Sequence, residues 1–244
     1  MENLTIYKSP FTKKRIGKPH DGGYVIAELP GEYDIFLSGG VSDDISFEKA
    51  FLERHPNLQC YAFDGTVQKL PEKSNNITFI KKNLGTINTT AITNLHEYMQ
   101  DYNNIFMKMD IEGHEFRIIP TFFENGYINK IKQLVVEIHS PADIALHPKY
   151  YTTLTDIKNN HMFEMLGNIN KTHTLIHLHA NNGCNMNNID GIKIPHVFEC
   201  TFIRNDFMGS DEKIKNDQPL PTDIDMKNIH YKPDYYLAGF PYSV

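Results

Sequence analysis

Apolar residues fall along this chain in short runs, each closed by a small or acidic residue and most followed by helical spacing. Tyr33-Asp34-Ile35-Phe36-Leu37 reads as a buried strand that stops at Ser38-Gly39-Gly40. Ile45, Phe47, Ala50, Phe51 and Leu52 then recur at the spacing of one helix face, and Ser42 or Asp43 can cap its start. The unit repeats. Residues 59–64 and 76–80 predict a second and a third strand, the earlier one ending at Asp64, and a helix is expected over 93–102. The next strand, 105–109, ends at Asp110, after which Ile111, Phe116, Ile118 and Ile119 carry a helical pattern onward from near Glu112. Leu134-Val135-Val136-Glu137-Ile138-His139 is an unbroken run of the kind buried on both faces of a sheet. A helix is expected over 150–159, and two more strands over 174–179 and 197–203. Strands alternating with helices predict an α/β fold, a largely parallel sheet with helices on both faces.

Composition changes this picture little. With 244 residues, 40% of them hydrophobic, and a mean hydropathy of −0.43, the chain suits one water-facing domain over 1–244. Residues 1–32 form an N-terminal cap segment in this reading, with a turn at Asp21-Gly22-Gly23 before a short strand at 24–27. Residues 207–244 form an extension that opens polar at Asp211-Glu212-Lys213 and closes on Tyr235, Tyr236, Phe240 and Tyr242. Those aromatics are expected to dock on the core, on the substrate cleft or on a second copy in a homo-oligomer. A net charge of −6 argues against a general nucleic-acid binder. Cys60, Cys184 and Cys200 lack metal-type spacing and read as free thiols of a reducing cytosol. No apolar run reaches membrane-span length and the N-terminus is no signal peptide, so a cytoplasmic protein is expected.

Candidate chemistry sits at the strand ends. Ser38, Gly39 and Gly40 occupy the first strand-to-helix turn, where small residues let backbone approach a ligand. Asp64 follows at roughly the twenty-residue spacing at which an acid meets a ribose in nucleotide-binding α/β folds. Asp21, between His20 and two glycines, is placed to close over the same ligand. The turn lacks the full G-x-G-x-x-G of a dinucleotide site, which disfavours a dehydrogenase.

Four segments, taken in order, resemble the FkbM-like S-adenosylmethionine-dependent methyltransferases: His20-Asp21-Gly22-Gly23-Tyr24, Phe36-Leu37-Ser38-Gly39-Gly40-Val41, Tyr61-Ala62-Phe63-Asp64 and Lys108-Met109-Asp110-Ile111-Glu112-Gly113-His114-Glu115. Val136-Glu137-Ile138-His139 and His177-Leu178-His179-Ala180-Asn181-Asn182 extend the likeness. The resemblance implies a Rossmann-like seven-stranded sheet with one antiparallel strand near the C-terminus. It also implies S-adenosyl-L-methionine as cofactor and methyl transfer to a hydroxyl of a sugar or other small acceptor, as in polysaccharide or glycan biosynthesis.

An alkyl hydroxyl is a poor nucleophile at neutral pH, so a base or a metal must assist the transfer. Asp110, His114 and His139 are the candidate catalytic residues, with His139 the first choice of base and His114 the second. Asp110, Glu137 and His139 also form a donor set suited to Mg2+ or Mn2+, in which case His114 becomes the base. Glu112 reads equally well as a helix cap. His177, His179, Asn181 and Asn182 are candidate acceptor contacts, and the basic run Lys13, Lys14, Arg15 and Lys18 suits the phosphates of a nucleotide-linked sugar. Two rival readings use the same residues: a metal-dependent hydrolase, and a non-catalytic nucleotide-binding module.

Overall fold

The computed structural model describes residues 1–209 and 212–244. Its centre is a sheet of seven strands: β1 (Ile35–Gly39), β2 (Cys60–Phe63), β3 (Ile77–Ile80), β4 (Ile105–Met109), β5 (Ile131–His139), β6 (His173–Ala180) and β7 (Val197–Arg204). Their spatial order is β6-β7-β5-β4-β1-β2-β3, and β7 alone runs opposite to the other six, pairing antiparallel with β6 and β5. The chain runs outward from β1 to β3, then returns to lay β4 against the other side of β1. That reversal opens a crevice between the carboxyl ends of β1 and β4, the place where ligands bind in open α/β sheets.

Side-chain alternation divides the core in two. Phe36 and Phe106 meet Phe47 and Phe51 of α1 (Ser46–Arg54), where the Phe51 and Phe106 rings stack at 3.9 Å between centroids. Leu37 and Met107 point the other way. They join Ile118, Ile119 and Phe122 of α2 (Glu115–Glu124) and Met162, Leu166 and Ile169 of α3 (Asn159–Thr172). A hairpin of Lys13–Gly17 and Gly23–Ala27 lies beside α1, so the basic run is itself a strand. Its charges are spent locally: Lys14 pairs with Glu28 at 2.7 Å and Lys18 with Asp44 at 2.9 Å.

Several local expectations shift, each for a visible reason. The helix expected over 93–102 shrinks to His96–Met99, because Thr93 and Asn94 side chains accept the Leu95 and His96 amides and Leu95 adopts a left-handed φ of +64°. The helix near Glu112 starts only at Glu115, since Glu112 and Gly113 are both left-handed. Turns occupy most of 150–158, and the long helix begins where the expected one ended, at Asn159. For α1 the capping oxygen comes from Asp44, which accepts the Ser46 amide at 2.9 Å, and not from Ser42 or Asp43.

Of the C-terminal extension, Asp211 lies outside the described residues. Beyond it Lys215 bridges Tyr7, Leu220 bridges Leu237, and Leu220, Leu237 and Tyr242 are buried in the larger core cluster. Tyr236 and Phe240 remain exposed. Among the described residues no helix is long and apolar enough to cross a membrane.

Candidate functional site

Strand register builds a polar row across the sheet. His179 of β6 lies opposite Glu199 of β7, which lies opposite Glu137 of β5. One step past the Met109–Val136 pair, Asp110 comes beside Glu137, and its amide donates to the Gly39 carbonyl of β1 at 3.1 Å. The row ends at Gly40, on the crevice. Residues of the N-terminal hairpin cover it, and the Tyr24 hydroxyl donates to Asp110 Oδ2 at 2.7 Å.

The glycine turn is held from three sides. Gly40 has φ +76°, its amide donates to the Phe63 carbonyl at 2.9 Å, and its carbonyl accepts from Lys108 Nζ at 3.0 Å. Asp64 lies beside it: Oδ2 accepts the Ser42 amide at 2.8 Å, and Oδ1 accepts the Thr66 amide at 2.7 Å and hydroxyl at 2.5 Å. Burial opposes the charge on Asp64, yet these bonds outweigh it and lower the carboxyl pKa. Ser38 faces away, its hydroxyl given to Glu48 Oε1 at 2.5 Å inside the sheet–helix contact, and Leu84 lies over Gly39. Asp21 is exposed at the hairpin turn.

On the other side of the crevice, Asp110, Glu112 and His139 present ligand atoms within 4.8 Å of one another. Consecutive left-handed residues, Glu112 at φ +56° and Gly113 at +81°, bend the chain after β4 and turn Glu112 Oε2 to within 3.5 Å of His139 Nε2. Glu137 Oε2 lies 4.0 Å from the same nitrogen. Behind His139, Ser140-Pro141 opens a short helix, Pro141–Leu146, with proline in the first turn where its missing N–H costs nothing. One turn of it places Asp143 Oδ2 at 3.0 Å from His139 Nδ1, and Tyr151 donates its hydroxyl to the same carboxylate at 2.9 Å. Burial works against the imidazolium, but Asp143, then Glu115, Glu112 and Asp110, raise the His139 pKa. Burial also raises Glu112, and it pushes Glu115, whose Oε1 accepts the Ile111 amide at 2.8 Å, up to about 7. Glu137 stands well above the usual carboxylate range through burial and the neighbouring acids Asp110 and Glu199. His114 is half-buried at the start of α2, its pKa lowered by burial and by Arg117.

Of the expected acceptor contacts, Asn181 alone faces this group, donating to Glu137 Oε1 at 3.2 Å. The others hold the C-terminal extension. His177 Nε2 meets Asp225 Oδ1 at 2.7 Å, His179 Nε2 meets Asp234 Oδ2 at 3.3 Å, and Asn182 bonds both the amide and the carbonyl of Ile229. Asp143, Tyr151, Tyr24 and Glu199 were not among the candidate site residues of the sequence, although Tyr24 closes the first of the FkbM-like segments. Of the others, only Asp143 carried a signal, the proline that starts a helix directly after His139-Ser140.

The His179 contact makes the docking pH-dependent. Burial opposes its charge, but Asp234 and Glu199 hold its pKa at about 10. A raised folded-state pKa contributes stability that is full below the unfolded value of about 6.5 and is lost as pH rises toward the folded one. The stability difference between the native chain and His179→Gln should therefore shrink between pH 7 and 10, read as melting temperatures at each pH. A difference constant across that range would refute the pairing.

No family model matches the sequence, and no curated protein matches it. Among solved structures, that of the plantazolicin methyltransferase BpumL in complex with SAH is similar over 71% of this chain and 77% of that one, with 9% sequence identity and a TM-score of 0.40.

Proposed function

We propose that this chain is an S-adenosylmethionine-dependent O-methyltransferase acting on a small hydroxylated acceptor, a sugar or nucleotide-linked sugar. One observation carries the reading: the left-handed glycine turn at Gly40 and the Asp110 end of β4 meet across the crevice where the strand order reverses. On the β1 side, Gly39, Gly40 and Asp64 supply close backbone and an acid for the methionine and ribose ends of the cofactor. On the β4 side, Asp110, Glu112 and His139 receive the acceptor hydroxyl, and its activation turns on the His139 imidazole. The seven-stranded sheet with one reversed strand is the architecture that the FkbM-like resemblance implies.

Calorimetry with S-adenosylhomocysteine tests the cofactor half, with saturable binding expected and silence at millimolar ligand refuting it. Tritiated methyl donor offered against a panel of nucleotide sugars tests the acceptor half. Binding without transfer to any hydroxylated acceptor would favour the non-catalytic module.

A further inference from the structure

We propose that Asp110, Glu112 and His139 bind a divalent cation of the magnesium or manganese kind. Acids gathered at a strand end would not carry this, but the imidazole does. His139 is 8% exposed, and its Nε2 is a buried polar atom without a hydrogen-bond partner, aimed between Glu112 Oε2 at 3.5 Å and Glu137 Oε2 at 4.0 Å. The far side of the ring is fixed. Tyr151 gives its one hydroxyl proton to Asp143, so the 2.8 Å contact between that oxygen and Nδ1, and the 3.0 Å contact of Nδ1 with Asp143, make Nδ1 the donor. A neutral ring with its proton on Nδ1 carries its lone pair on Nε2. Metal-binding imidazoles are oriented in this way, by a carboxylate on the opposite nitrogen.

The other donors agree. Asp110 is held by the Tyr24 hydroxyl at 2.7 Å, and Glu112 reaches the same point from the bend after β4. Asp110, Glu112 and Glu137 bring three carboxyl groups around His139, oxygen donors of the kind that a hard dication takes. Two carboxylates and one imidazole suit magnesium or manganese better than zinc, which favours sulfur and nitrogen. Glu137 is thereby a neighbour of the site, with Glu112 in the place that the sequence reading gave it. The cation deepens the methyl-transfer reading by naming what receives the acceptor oxygen, yet its binding is measured without a methyl donor.

Mn2+ titrated into the full chain and followed by electron paramagnetic resonance should show one saturable ion per chain, with nitrogen coupling from one imidazole. Glu112→Gln, a change at a half-exposed side chain, should weaken binding more than ~10-fold, and His139→Ala should remove the nitrogen signal. No saturable binding up to millimolar Mn2+, unchanged affinity in Glu112→Gln, or no nitrogen coupling in the native chain would each overturn the site. Calorimetry with S-adenosylhomocysteine on the same preparation separates the two readings. Cofactor bound without Mn2+ removes the cation alone, whereas Mn2+ bound without cofactor removes methyl transfer and leaves the metal-dependent hydrolase.

Discussion

Gly40→Ala should abolish S-adenosylhomocysteine binding and lower the melting temperature by about 6–12 °C, because a methyl group at this position has nowhere to go. A Cβ built on Gly40 falls 1.6 Å from the carbonyl oxygen of Asp110. That oxygen is backbone at the end of β4, so no rotamer change relieves the contact. The φ of +76° adds roughly 1–2 kcal/mol for any residue with a side chain. Relief requires the carboxyl ends of β1 and β4 to move apart, which opens the crevice and breaks the bond from the Asp110 amide to Gly39. A total of about 3 kcal/mol is typical of a change that strains backbone and packing together. At about 2–4 °C per kcal/mol for a chain of this size, the shift follows. Gly126→Ala is the control: Gly126 has a similar φ of +71°, but nothing lies within 4 Å of its added Cβ. It should lose only the conformational part and keep its affinity for the cofactor product. Equal behaviour of the two variants would show that the approach of Gly40 to Asp110 has no role in the site.

That close approach was legible in the sequence only as two separate facts, a glycine-closed strand and an acid-closed strand. The strands at the crevice were readable because they are short apolar runs closed by a small or acidic residue, as Gly40 closes β1 and Asp110 closes β4. Helices were less readable. The α3 segment carries Asn159, Asn160, Gly167, Asn168 and Asn170, residues of poor helix propensity, and it is helical because Met162, Met165, Leu166 and Ile169 find the sheet. Tyr150, Leu154 and Ile157 mimic helical spacing just before it, yet their segment folds as turns. At the site, Asp110 and His139 were placed by strand ends alone. Glu112 was not, because a non-glycine residue at φ +56° has no sequence signature, and an acid two positions past a strand looks like an ordinary helix cap. His177, His179 and Asn182 looked like ligands since alternation sends both histidines to one face. The partners that occupy them, Asp225, Ile229 and Asp234, come from an extension whose course no local pattern fixes.

His139→Ala should lower the rate of methyl transfer by about 100-fold or more, with the Michaelis constant for the methyl donor little changed. The imidazole is the one group of the site with a buried, unpaired nitrogen, and removing it takes away either a ligand of the cation or the acceptor of the hydroxyl proton. The donor's constant should hold because the Gly40 turn and Asp64 are tied to each other, to Phe63 and to Thr66, and to nothing on His139. Asp143→Asn is a gentler cut. It keeps the volume but no longer requires a donor at Nδ1, so the lone pair on Nε2 is not fixed, and a loss of about 10–100-fold is expected. Tyr151→Phe should cost less again, since Asp143 remains to hold the ring. Transfer of tritiated methyl, measured as initial rates across the three variants, checks the order. Equal rates in His139→Ala and the native chain would move activation to His114, whose ring is half-buried at the start of α2 and, among the described residues, has no carboxylate paired with it. A loss in Asp143→Asn without one in Tyr151→Phe would show that the carboxylate alone sets the tautomer and that the Tyr151 hydroxyl is dispensable to it.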